Sequence, residues 1–72
     1  PRLRAIKFVQ EGGQDMRVTC GDVSGSGSAS VLLRDAPAGR CIVVVDERRA
    51  RVTVTEPRGV DCVLEGEALS CR

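Results

Sequence analysis

The sequence predicts an all-β domain, a small antiparallel β-sandwich or barrel of about six to seven short strands cross-linked by disulfides. Valine and other β-branched residues dominate the apolar set, and the apolar runs are short and bounded by Gly, Pro and Asp. Four cysteines lie within 72 residues. A chain of this length buries only about 60% of its unfolded surface, so its core is marginal and cross-links are expected.

The beginning of the chain predicts two strands. Residues 2–10 place Ile6 and Phe8 on one face and Leu3 on the other, so both faces of this strand are expected to be partly covered. We expect it at an edge of the sheet, since the edges are predicted at the two ends of the chain, with a central position as the alternative. After a turn, residues 16–20 alternate cleanly between apolar and polar side chains.

The middle of the chain predicts a loop, a strand, a turn and a second strand. Residues 21–28, with Ser-Gly-Ser-Gly-Ser at 24–28, are expected to form a loop, either native or an engineered linker. Residues 29–34 predict a strand, and Pro and Gly within 35–40 predict a turn. Residues 41–45 form a continuous apolar run, which is typical of a central strand buried on both faces.

The remaining segments predict a charged hairpin tip, a strand and a final hairpin. The tip covers residues 46–49, and residues 51–55 alternate with Val52 inward. After a turn at 57–59, residues 60–71 read as a hairpin.

The turn of the last hairpin predicts a disulfide. A two-residue loop at Gly66-Glu67 places glycine first, as a type II′ turn prefers, and sets Cys62 opposite Cys71. Opposed residues on antiparallel strands have Cβ atoms close enough for a disulfide at a non-hydrogen-bonded pair. The alternative loop, Glu65-Gly66, would set Cys62 opposite a leucine. We prefer the first register.

Pairing Cys62 with Cys71 leaves Cys20 to pair with Cys41. The rival is a structural zinc site with four cysteine ligands, but such sites usually take ligands in close pairs, and the closest cysteines here have eight residues between them. Two disulfides predict an extracytoplasmic protein: secreted, periplasmic or at the cell surface. Residues 1–72 are expected to form one domain, either an excised piece or the C-terminal module of a longer protein.

The residue types needed for catalysis are scarce, and we expect no enzyme activity. The chain contains no histidine, which removes the common general base and the Ser-His-Asp and Cys-His sites. The close acidic pairs Asp46–Glu47 and Glu65–Glu67 fall in predicted turns, where carboxylates are usually solvated. We expect no metal site and no cofactor.

Charge and hydropathy argue against nucleic-acid and membrane partners. The formal net charge is +1, and no apolar run approaches the length that crosses a bilayer. We therefore expect a protein partner or a parent chain, without nucleic-acid binding or membrane insertion. The candidate contact residues are the basic cluster Arg48, Arg49 and Arg51, with Arg58 nearby. They could bind an acidic partner or simply keep a hairpin tip soluble.

Residues 29–45 combine a strand, a Pro/Gly turn and a valine-rich strand. In this the chain resembles bacterial PEGA-type modules, although the Asp-Gly and Thr-Pro elements of that family are missing and the cysteines are extra. The resemblance implies a β-sandwich accessory domain without catalysis and implies no site residue.

These observations predict a non-catalytic binding or scaffolding accessory module. One alternative is a small secreted inhibitor or toxin-like effector that presents residues 36–40 as a rigid loop. Another is a cytosolic zinc adaptor with four cysteine ligands.

Overall fold

The alternation of apolar and polar residues produces eight strands and no helix. The computed structural model describes all of residues 1–72, and none of it forms a helix that could cross a membrane. The strands are β1 (Arg2–Gln10), β2 (Asp15–Cys20), β3 (Val23–Ser28), β4 (Ser30–Pro37), β5 (Gly39–Val45), β6 (Arg48–Val54), β7 (Arg58–Glu65) and β8 (Ala68–Cys71).

The strands form two four-stranded sheets packed as a sandwich. The β1 sheet has the order β4-β1-β7-β8, and the β2 sheet has the order β3-β2-β5-β6. Every pairing is antiparallel except that of β1 with β7, which is parallel. The predicted all-β, disulfide-linked class is confirmed, with one strand more than expected.

The additional strand is β3, where the sequence predicted a loop. Val23, Gly25 and Gly27 are half-buried, whereas the serines between them are exposed, so the segment keeps the period of a strand without the residues that favour one. A Cβ on Gly25 would lie 2.9 Å from Cδ2 of Leu33, and one on Gly27 would lie 2.6 Å from the carbonyl oxygen of Ser30. The glycines are therefore needed where β3 passes close to β4.

β1 occupies a central position in its sheet, so the expectation that it forms an edge is wrong, whereas β8 does lie at an edge. The faces of β1 also differ from the prediction, because Leu3 is buried together with Ile6 and Phe8. The β1–β4 register is interrupted at Arg4 and Asp35, where Asp35 has a φ of 58°. The alternation shifts on both strands at this point, so Leu3 and its partner Ala36 both lie in the core.

The core is one cluster between the two sheets, built mainly from valine around Phe8. Phe8, Val18, Val43 and Val60 are completely buried. Val44 and its neighbour Ile42 are only half-buried, so β5 is not covered on both faces as its apolar run predicted.

Both predicted disulfides are present, and each joins neighbouring strands of one sheet. Cys20 is bonded to Cys41 across β2 and β5, with Cα atoms 4.3 Å apart. Cys62 is bonded to Cys71 across β7 and β8, with Cα atoms 4.1 Å apart. The predicted turn at Gly66-Glu67 sets the second register. No thiol remains free for the four-cysteine zinc site of the alternative hypothesis.

Candidate functional site

The structure separates the four arginines that the sequence grouped as a candidate contact. Arg49 and Arg51 are exposed on the outer face of β6. Arg48 begins the same strand but is half-buried, with Nη2 3.7 Å from Oε1 of Glu67. Arg58 lies on β7, in the other sheet, and donates to the carbonyl oxygen of Gly59 at 3.0 Å.

Two further arginines join Arg49 and Arg51 on the same face. Arg17 on β2 lies beside Val44, which lies beside Arg49. Arg40 on β5 is also exposed and belongs to this face. These two residues were not among the predicted contact residues, because they reach the cluster only through the pairing of β2 and β6 with β5.

We call this surface the arginine face; it consists of Arg17, Arg40, Arg49 and Arg51 around the half-buried Ile42 and Val44. The two ion pairs of the molecule are Arg2–Asp22 and Arg48–Glu67, so no carboxylate lies within 4.0 Å of any of the four arginine charges. Arginine stems can cover apolar surface while the guanidinium stays in water. The face therefore offers unpaired cationic groups around an aliphatic centre.

Carboxylates lie at one end of this face, around a shallow depression of about 510 Å³. Its lining includes Asp15, Asp46 and Glu47, and the Ser28 hydroxyl donates to Asp15 at 3.0 Å. No group of three His, Cys, Asp or Glu side chains is arranged to hold a metal ion. The acids thus lie at the beginning of β2 and in the β5–β6 turn, where Arg17 shares the depression with them, whereas Arg40, Arg49 and Arg51 do not line it.

The outer face of the β1 sheet has a mixed charge. Lys7 and Arg34 are exposed there. A depression of about 440 Å³ beside β8 is lined by Asp61, Glu65 and Arg72 among others. Cationic and anionic groups alternate across this face, so the one-sided cationic surface belongs to the β2 sheet.

The other sequence hypotheses concern residues 36–40 and the acidic pairs. Ala36 is buried at 1% exposure, and residues 37–39 are half-buried between the end of β4 and the beginning of β5. The segment therefore does not project as the rigid loop that an inhibitor would present. Asp46–Glu47 and Glu65–Glu67 are exposed at hairpin turns, as expected.

The charge pair with altered pKa values lies away from the arginine face. A side-chain hydrogen bond from Arg2, together with its positive charge, lowers the pKa of Asp22. The same contact raises the pKa of Arg2. The two charges are paired with each other, so this contact links β1 to the β2–β3 turn and leaves neither charge free for a ligand.

No family model, curated protein or solved structure matches this chain. The resemblance to PEGA-type modules therefore stays a prediction. The fold places the chain among small β-sandwich domains with two disulfides. Domains of this kind are typical of extracytoplasmic proteins.

Proposed function

We propose that this chain is a non-catalytic binding module of a secreted, periplasmic or cell-surface protein, and that the arginine face contacts an acidic protein partner. The observation that carries the proposal is the set of four exposed arginines on one face, none of which forms an ion pair. Guanidinium groups bind carboxylates in a planar, two-pronged geometry, and arginine is enriched at protein interfaces.

The centre of the face supports the same function. Ile42 and Val44 are half-buried and lie between the arginines of β2 and β6. A partner that covers this surface would bury aliphatic area at its middle and pair its carboxylates around it, which is the usual arrangement of a protein interface. The carboxylates Asp15, Asp46 and Glu47 at one end would repel an acidic partner there and fix its placement.

The test measures binding to immobilised poly-L-glutamate at low and physiological salt. The double variant Arg49→Ser/Arg51→Ser is expected to bind at least about tenfold more weakly than the parent, which is about 1.4 kcal/mol. The matched control is Lys7→Ser/Arg34→Ser on the mixed-charge face, which removes the same formal charge. It is expected to change binding by less than about twofold, as for a surface charge remote from the contact.

Two results would overturn the proposal. Equal losses in both double variants would mean that net charge alone governs retention. Failure of the parent protein to bind poly-L-glutamate at low salt would exclude an acidic partner for the arginine face. Immobilised heparin provides a further arm, since stronger dependence on Arg49 and Arg51 with heparin than with poly-L-glutamate would favour a sulfated polysaccharide over an acidic protein.

A further inference from the structure

We infer that the Cys62–Cys71 bond is a redox-sensitive switch: a thiol reductant opens it in the folded protein while Cys20–Cys41 stays closed, and β8 then separates from the domain. The two bonds differ in how deeply they lie. Cys20 and Cys41 are completely buried and Cys62 is 1% exposed, whereas Cys71 is only partly buried. Thiol–disulfide exchange requires a thiolate to reach one of the two sulfurs, so Cys71 is the most accessible point of attack.

The strand that carries Cys71 is held less firmly than the strands that carry the other bond. β8 has four residues, none of them fully buried, and it is the last strand in the order of its sheet. β2 and β5, by contrast, each have a strand on both sides. Segments with few buried apolar contacts open locally, at a free energy below that of global unfolding. Local opening of β8 therefore exposes the Cys62–Cys71 bond while the rest of the domain stays folded.

The Cys20–Cys41 bond has no comparable local route to the solvent. It joins the two central strands of the β2 sheet, where the next inward-facing pair, Val18 and Val43, is also completely buried. All four residues belong to the core cluster. Separating β2 from β5 would open that core, so this bond becomes accessible only through global unfolding. The two bonds are thus reduced through different openings of the protein.

β8 also covers part of the second sheet. It packs along the edge of β6, and the ion pair between Arg48 of β6 and Glu67 of the β7–β8 turn crosses the same seam. The Glu67 side chain is 91% exposed, so this ion pair contributes little. On the inner side, Leu69 of β8 and Leu64 of β7 pack against the core. Reduction leaves β8 held by these contacts and its hairpin hydrogen bonds alone, and its separation exposes both leucines and the edge of β6.

The chemical step is exchange with a dithiol reductant. A thiolate of the reductant attacks Sγ of Cys71, the protein S–S bond breaks, and Cys62 leaves as a thiolate that takes a proton from water. The second thiol of the reductant then attacks the mixed disulfide, releases the Cys71 thiolate and closes the disulfide of the reductant. Two electrons pass from the reductant, which is oxidised, to the Cys62–Cys71 bond, which is reduced.

The first measurement is the order of reduction in the folded protein. The protein with both disulfides closed is incubated with dithiothreitol in native buffer, quenched with iodoacetamide at timed intervals and mapped by peptide mass spectrometry. Cys62 and Cys71 are expected to be alkylated at least about tenfold faster than Cys20 and Cys41, a ratio that requires the two openings to differ by about 1.4 kcal/mol. In concentrated urea the two bonds should be reduced at similar rates, because both are then exposed.

A matched pair of variants tests whether the opening of β8 controls this rate. Leu69→Ala removes apolar contact between β8 and the core, so it should speed the reduction of Cys62–Cys71 by at least about threefold. Leu32→Ala makes the same change on β4 at a leucine that is 50% exposed, and it should change the rate by less than about twofold. If Leu69→Ala fails to fold, the comparison of native buffer with urea in the parent protein still tests the inference.

Hydrogen exchange measures the separation of β8. With only Cys20–Cys41 closed, the β8 amides are expected to exchange within about tenfold of the rate of an unstructured peptide, while those of β2 and β5 stay protected. β8 amides that remain protected would overturn the inference. So would reduction of Cys20–Cys41 first, loss of both bonds without a one-disulfide species, a rate ratio that persists in urea, or equal rates in Leu69→Ala and Leu32→Ala.

Discussion

The guanidinium of Arg2 donates to both carboxylate oxygens of Asp22, with Nη1 2.8 Å from Oδ1 and Nη2 3.0 Å from Oδ2. Arg2 begins β1, and Asp22 lies in the turn between β2 and β3, so the pair joins the two sheets. Nη1 also donates to the carbonyl oxygen of Asp35, at 3.0 Å. Each disulfide joins two strands of the same sheet, whereas the Arg2–Asp22 ion pair links one sheet to the other.

This pair predicts a pH-dependent stability. The hydrogen bond from Arg2 holds the pKa of Asp22 below its ordinary value of 3.8, so below that pH the unfolded chain binds the proton more readily than the folded one. The stabilisation is therefore present above pH 3.8 and is lost as the pH falls through the lower folded pKa. Because both groups are exposed, we expect a modest effect that salt weakens.

The measurement is the urea midpoint of the parent and of Asp22→Asn as a function of pH. Asp22→Asn should be less stable at neutral pH, and the difference should narrow as the pH falls below about 4. Asp61→Asn, which removes a carboxylate that forms no ion pair, should show no such convergence. A difference between Asp22→Asn and the parent that is independent of pH would contradict this account.

The two disulfides should differ in their contribution to stability. The Cys20–Cys41 bond spans 21 residues and the Cys62–Cys71 bond spans 9. Loop-closure entropy gives roughly 3.3 kcal/mol for the longer loop and roughly 2.6 kcal/mol for the shorter. Cys20 and Cys41 are also completely buried, whereas Cys71 is only partly buried.

The comparison uses the double alanine variants of each disulfide in urea unfolding. Removing Cys20–Cys41 should lower the free energy of unfolding more than removing Cys62–Cys71. The same ranking would be supported if circular dichroism in water showed the variant without Cys20–Cys41 unfolded and the variant without Cys62–Cys71 folded. Equal or reversed losses would show that loop length does not decide the contribution of these bonds.

The glycines of β3 should tolerate substitution unequally. A Cβ on Gly27 would meet the backbone oxygen of Ser30 at 2.6 Å, which cannot move easily, whereas a Cβ on Gly25 would meet side-chain atoms of Leu33 and Val31 at 2.9 and 3.2 Å. Gly27→Ala is expected to cost about 2–3 kcal/mol and Gly25→Ala about 1 kcal/mol, as for overpacking.

The control for these variants is Ser26→Ala, between the two glycines but exposed. It should change the free energy of unfolding by less than about 0.5 kcal/mol. Thermal or urea unfolding of the three variants gives the ranking. If Gly25→Ala were the more damaging of the two, the close approach of β3 to the backbone of β4 would not be the controlling contact.

The β5–β6 turn carries strain that a single substitution should relieve. Asp46 and Glu47 have φ values of 49° and 66°, so both central residues adopt the left-handed conformation of a type I′ turn. That turn prefers Asp-Gly, and left-handed backbone costs a residue with a Cβ about 1–2 kcal/mol. Glu47→Gly should therefore stabilise the domain by about 1 kcal/mol.

The converse substitution is Gly66→Ala in the β7–β8 turn. Gly66 has a φ of 60°, so an added Cβ there should destabilise the domain by about 1 kcal/mol. Urea midpoints of both variants measure the two effects. A loss of stability in Glu47→Gly would mean that the Glu47 side chain contributes more than the turn strain costs.

Local patterns were sufficient to predict part of this fold. A two-residue turn fixes the register of the strands beside it, so Gly66-Glu67 predicted the Cys62–Cys71 pair, which left Cys20 for Cys41. The alternation of residues 51–55 likewise predicted that Val52 faces inward, and Val52 is buried on β6. These inferences succeed because each depends on residues close together in the chain.

The sequence by itself determined the strand class, the disulfide pairs and the last hairpin, since periodicity and turn chemistry act over a few residues. The tertiary structure alone decided that Gly-Ser residues form β3, that β1 is central, and that Arg17 and Arg40 join Arg49 and Arg51. The physical reason is that strand order and close approach depend on pairing between distant segments. The long-range fit of β3 against β4 overrides the weak strand preference of glycine and serine.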